Sequence, residues 1–96
     1  MKPSVALNTH RAALREIVAR HGALRPRIFG SAVHGDDTDS SDLDLLVDPT
    51  SRTTLMTLAA IQLEPERLLG VPVDVLTPKS LPQRYREQVL REAQPV

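Results

Sequence analysis

The chain has 96 residues, twelve basic and twelve acidic side chains, a formal net charge of zero and no cysteine. That length predicts one domain, the even charge excludes the basic footprint of an autonomous nucleic-acid binder, and the missing cysteines exclude a disulfide framework and a thiolate metal site. Phe29 and Tyr85 are the only aromatic residues, too few for a platform on which single-stranded nucleic acid stacks.

No apolar run approaches the ~20 residues of a membrane span, and no secretory leader is visible, so a cytoplasmic protein is expected. Met1 to Leu7 reads as loose chain. Asn8 or Thr9 can then cap a helix running to about Arg20. Ala13, Leu14, Ile17 and Val18 keep helical spacing, and His21-Gly22 is a plausible stop. His10 and His21 stand at no metal-ligand spacing to other donors and read as surface or helix-end residues.

Leu24 to Phe29 reads as the first strand. Pro26 cannot donate to a ladder, which predicts an edge strand or a strand that begins near there. Ser31 to Gly35 suits one helical turn. Residues 36–41 form a loop by composition, with Asp36, Asp37 and Asp39 expected in solvent. Asp42 to Val47 is the second strand. A helix follows over Thr53 to Leu63, which Pro65 should kink or stop, leaving a short second piece to Leu69 before Gly70. Val71 to Leu76 is the third strand. The last helix is expected from Leu81 to Ala93, with Leu81, Tyr85, Val89 and Ala93 as an i, i+4 stripe.

The chemistry concentrates around the second strand. A strand sends residues i and i+2 to one face, so Asp42 and Asp44 point together while Leu43, Leu45 and Val47 point to the core. Six of the twelve acids fall between Asp36 and Asp48, and no lysine or arginine lies between Arg27 and Arg52. Adjacent carboxylates repel and are costly to desolvate. A hard divalent cation suits them, because Mg²⁺ takes a few carboxylates together with substrate phosphates and water. Gly30-Ser31, at the end of the first strand, offers close backbone approach and donors to a phosphate. Val73-Asp74-Val75 can bring a third carboxylate from a neighbouring strand.

Gly-Ser, ten residues, Asp-x-Asp and a later strand aspartate together resemble the nucleotidyltransferase superfamily that includes DNA polymerase β. More narrowly, the chain is similar to the minimal nucleotidyltransferases, antitoxins of HEPN-domain toxins. The resemblance implies an α/β (α+β) fold with a small mixed sheet, three-stranded or slightly larger, and helices packed on it. It implies one nucleotidyltransferase domain over residues 1–96. Asp42, Asp44 and Asp74 would be the catalytic residues and would hold two Mg²⁺ ions, with Asp74 helping to deprotonate the nucleophile. Gly30 and Ser31 would bind the triphosphate of ATP.

The implied reaction is transfer of AMP from ATP to a tyrosine of a partner HEPN toxin. The alternatives are a weak or inactive antitoxin that neutralises by binding, and a transferase acting on a small molecule or RNA. Relatives commonly carry an arginine in the turn after Gly-Ser. Here that turn is Ser31-Ala32-Val33-His34-Gly35, and a histidine is a full cation only below neutral pH. Arg27, Arg52 and Lys79 are the candidate substitutes for that fixed charge.

Overall fold

The computed structural model describes residues Met1–Val96. In chain order the elements are α1 (Pro3–Arg20), β1 (Leu24–Phe29), α2 (Ser31–His34), β2 (Leu43–Asp48), α3 (Leu55–Leu69), β3 (Val73–Leu76), a 3₁₀ turn at Pro78–Ser80, α4 (Gln83–Glu92) and β4 (Gln94–Pro95). The four strands form one mixed sheet in the order β3-β2-β1-β4. β2 runs antiparallel to β1 and parallel to β3. No helix is long and apolar enough to cross a membrane.

The α/β architecture follows from two hydrophobic periods. Ile28, Leu43, Leu45, Val47 and Val73 meet Leu14 and Val18 of α1 and Ile61 and Leu69 of α3 in one core cluster. Leu43 and Leu45 are wholly buried, and fully burying a leucine contributes roughly 1.5–3 kcal/mol. That burial fixes the register, because a slip of one residue would turn Asp44 into the core. The opposite face carries Phe29, Asp44 and Asp74 in one row, paired across β1, β2 and β3. Leu46 and Leu76 pair in the next row but one.

Several expectations from sequence are corrected. The helix does not wait for Asn8 or Thr9: it begins at Pro3, and His10 leaves helical geometry at a kink. Ala6 and Leu7 are buried, so Met1 to Leu7 is not loose chain. The cause lies far along the sequence. Asp37 is buried rather than solvated, and its Oδ2 accepts from the Ser4 N–H at 2.8 Å. A carboxylate at a helix N-terminus satisfies a free amide and complements the dipole. The Ser4 backbone hydrogen bond is the main reason the Asp37 carboxyl sits below the ordinary carboxylate range.

Asp37→Ala is therefore expected to cost about 1–2 kcal/mol at pH 7. A lowered folded value means the stabilisation is present above the unfolded carboxylate value and lost as pH falls through the folded one. Urea midpoints of wild type and variant should accordingly converge in acid.

Pro26 is not at an edge, because β4 pairs outside β1. It is tolerated because the β1–β2 register breaks between Leu24 and Arg27, with Arg25 at φ 50°. Proline suits such a bulge, where no ladder donor is needed. Pro65 does not stop α3, which runs unbroken to Leu69. An interior proline costs about 3 kcal/mol. Here Pro65 is buried, and the helix end is anchored around it. Glu64 pairs with Arg20 and His21 at the end of α1, and Glu66 Oε2 accepts from the Val73 N–H at 2.9 Å. β2 and β3 begin later than expected, at Leu43 and Val73, and the two-residue β4 carries no sequence signal.

Candidate active site

Asp44 and Asp74 are direct partners across the parallel β2–β3 pair, so both side chains leave the same face of the sheet on strands about 4.8 Å apart. Asp42 sits just before β2, exposed, two residues from Asp44. The i, i+2 relation therefore holds, although Asp42 lies outside the strand. Asp44 is half-buried and its carboxyl is pushed up to about 6, first by burial and then by the negative charges of Asp74 and Asp42. Both neighbouring carboxylates thus act on Asp44.

What they lack is a cation. Several acids elsewhere in this fold are paired. Asp48 is held by Arg25 and Arg27, Glu64 by Arg20 and His21, and Glu92 by His34. Asp42, Asp44 and Asp74 make no ion pair. Asp44, with its raised proton affinity, beside two further carboxylates and with no ion pair among the three, makes a donor set that a hard cation suits. No three acidic or histidine side chains are gathered tightly enough to cage an ion unaided. That agrees with Mg²⁺ chemistry, in which phosphate oxygens and water complete the coordination. The residues therefore fit magnesium arriving with a nucleotide.

Gly30 closes the site from β1. Its φ of 76° and ψ of −148° lie in a region essentially reserved for glycine. A Cβ there would stand 3.3 Å from Asp44 Cγ and well inside contact distance of Asp44 Oδ2. Glycine is required twice over, for the backbone conformation and for the space Asp44 occupies. Ser31 follows at the first position of α2, half-buried.

None of the cations suggested by sequence faces this cluster. His34 Nε2 turns instead to Glu92 Oε2 of α4, at 3.3 Å. Arg27 is committed to Asp48. Lys79 shares a cleft with Asp48 and Pro49 at the other end of β2, and Arg52 packs beside Gly22. Sequence reasoning also missed Gln88 and Glu92. With Phe29, Gly30, His34 and Tyr85 they line a cavity of about 390 Å³ between α4 and the sheet. The only hint was their i, i+4 spacing on a polar helix.

The chain matches the nucleotidyltransferase domain family over residues 9–96. It is 36% identical over 86 residues to "Protein adenylyltransferase MntA" of Thermococcus cleftensis, covering 90% of this chain and 84% of that one. It is 33% identical over 87 residues to "Putative protein adenylyltransferase MJ0435" of Methanocaldococcus jannaschii, covering 91% and 94%. Its backbone superposes with a TM-score of 0.86 on a solved "putative minimal nucleotidyltransferase", at 46% identity and covering 97% and 95% of the two chains. A "toxin-antitoxin with AMP-PNP" shares the fold alone, with a TM-score of 0.70 at 15% identity over 97% of this chain and 71% of that one. The paired carboxylates on β2 and β3, the glycine turn beside them and these matches agree: the chain belongs to the nucleotidyltransferase domain family and has the minimal nucleotidyltransferase fold.

Proposed function

We propose that residues 1–96 act as one nucleotidyltransferase domain, an antitoxin that transfers AMP from ATP to a tyrosine of a partner HEPN toxin. The observation that carries this reading is the unpaired Asp42, Asp44 and Asp74 cluster beside Gly30. The relatives named protein adenylyltransferases support AMP transfer to a protein. The fold neighbour described as a toxin-antitoxin with an ATP analogue is consistent with such a pair. The HEPN partner, the tyrosine acceptor and a cytoplasmic setting come from the family resemblance.

In this reading Asp42, Asp44 and Asp74 would hold two Mg²⁺ ions, which supply positive charge to the α-phosphate and the leaving pyrophosphate. The Gly30-Ser31 turn lets the triphosphate approach the backbone and offers the Ser31 hydroxyl as a further contact. The tyrosine oxygen attacks the α-phosphorus in line, a new O–P bond forms, and the bond to pyrophosphate breaks. Asp74 receives the tyrosine proton from a rigid strand position. Holding the reactants in this geometry removes the entropy cost of bringing them together.

Incubation of the chain with MgATP and its partner toxin, read by intact mass, tests the proposal. Addition of AMP units to the partner is expected. An unchanged partner mass contradicts it. One observation favours a second reading, neutralisation by binding alone: His34 is turned to Glu92, and no free cation faces the carboxylates. Full neutralisation by Asp42→Asn at equal expression would establish that reading instead.

A further inference from the structure

The cavity beneath α4 lies outside the phosphate chemistry but shares a wall with it. Gly30 faces both the Asp44 carboxylate and this cavity. A nucleotide whose phosphates reach the carboxylates therefore has a place directly alongside for the group at its other end. The remaining walls are largely apolar: Phe29, Leu76, Leu81, Pro82, Tyr85 and Val89. A volume of about 390 Å³ stands near the low end of the ~300–1,000 Å³ typical of small-molecule pockets. That suits a heteroaromatic base with its sugar and is small for a folded peptide segment.

The helix over the cavity is unusual in its packing. The apolar stripe of α4 is short, Tyr85 and Val89 on a mostly polar helix, and none of its residues is buried. Tyr85 remains 46% exposed, with the Arg84 guanidinium 4.8 Å from its ring centroid. The helix is tied to α2 at its far end by the His34–Glu92 pair. A flat ligand slid beneath it would give the stripe the apolar contact it lacks.

Gln88 supplies the polar feature. Gln88 lines the same cavity as an exposed residue, its carboxamide held only by a long 3.4 Å bond from Nε2 to Glu92 Oε1. A carboxamide presents an acceptor beside a donor. That pair is complementary to the N6 donor and N7 acceptor on one edge of adenine, and mismatched to the N7 and O6 acceptors on the same edge of guanine. We infer that this cavity seats the purine base of the nucleotide and that Gln88 selects adenine over guanine. The inference rests on the nucleotidyl-transfer reading and adds to it a base specificity determinant on α4.

Equilibrium binding of MgATP, MgGTP and magnesium tripolyphosphate to the full chain tests this. Wild type should bind ATP about tenfold or more tightly than GTP, in keeping with one bidentate base contact. Gln88→Leu should erase that preference and leave tripolyphosphate binding unchanged. Tyr85→Ala should weaken both nucleotides and again spare tripolyphosphate. Equal binding of ATP and GTP by wild type, or an ATP preference that survives Gln88→Leu, overturns the inference. So does a result in which both variants keep nucleotide affinity and lose only transfer to the partner, because the cavity would then hold the acceptor side chain. In either case tripolyphosphate binding leaves the carboxylate site standing. No binding of any of the three by wild type removes the nucleotidyl-transfer reading, and this inference with it.

Discussion

Asp44→Asn is expected to lower AMP transfer at least about a hundredfold, the scale on which one preorganised electrostatic contact acts, and to raise the melting temperature of the metal-free protein. The two effects share a cause. Asp44 is the most enclosed of three mutually repelling carboxylates, and its carboxyl is held near 6 by burial and by Asp74 and Asp42. A folded value raised above the unfolded one contributes stability that is present below the unfolded value and lost as pH rises through about 6. At pH 8 in EDTA the ionised Asp44 therefore costs the fold stability, and an uncharged amide of the same shape removes that cost. Melting curves should show the variant above wild type at pH 8 and the two converging toward pH 4. Magnesium with ATP should reverse the order, because a ligand bound only by the native state stabilises it and the variant has lost a binding group. A variant less stable than wild type in EDTA at pH 8 would show that Asp44 has a structural role in place of this strained one.

Gly30→Ala should cut activity far more than stability. The new methyl group would enter the space of the Asp44 carboxylate, and the backbone would be left in a conformation costing about 1–3 kcal/mol for a residue with a side chain. The Asp44 side chain can rotate away from the methyl, so the fold survives, but its oxygens then leave the position shared with Asp74. Gly70 provides a matched control. It caps α3 at φ 71° with nothing near a built Cβ, so Gly70→Ala carries a left-handed backbone cost without touching the site. Transfer rates per folded molecule, corrected by circular dichroism, should fall at least about tenfold for Gly30→Ala, one contact's worth of preorganisation, and stay level for Gly70→Ala. Equal rates in both variants would mean that the close approach of Gly30 to Asp44 does not matter to the reaction.

Local periodicity carried much of this architecture. The alternation through Leu43, Asp44 and Leu45 predicted which side chains face the core, and the β-branched run around Asp74 predicted a neighbouring strand. What sequence could not carry was long-range pairing. Nothing local marks Asp37 as the carboxylate that caps a helix 33 residues earlier. Nothing local shows that β4 would cover β1 and leave Pro26 at a bulge. Pro65 misled because its local cost is real and is offset only by burial and by contacts of Glu64 and Glu66 with distant partners. The same limit applied at the site. The aspartates and Gly30 could be read in one dimension, whereas the turn of His34 toward Glu92 and the cavity under α4 exist only once α2 and α4 are brought together.

A crystal structure of the chain soaked with Mn²⁺ and a non-hydrolysable ATP analogue, phased to reveal anomalous scattering from manganese, interrogates the carboxylate cluster itself. Manganese between Asp42, Asp44 and Asp74, with triphosphate oxygens completing its coordination beside Gly30, is the predicted result. A nucleotide bound with its metal elsewhere, or with Asp74 turned from the metal, would contradict it.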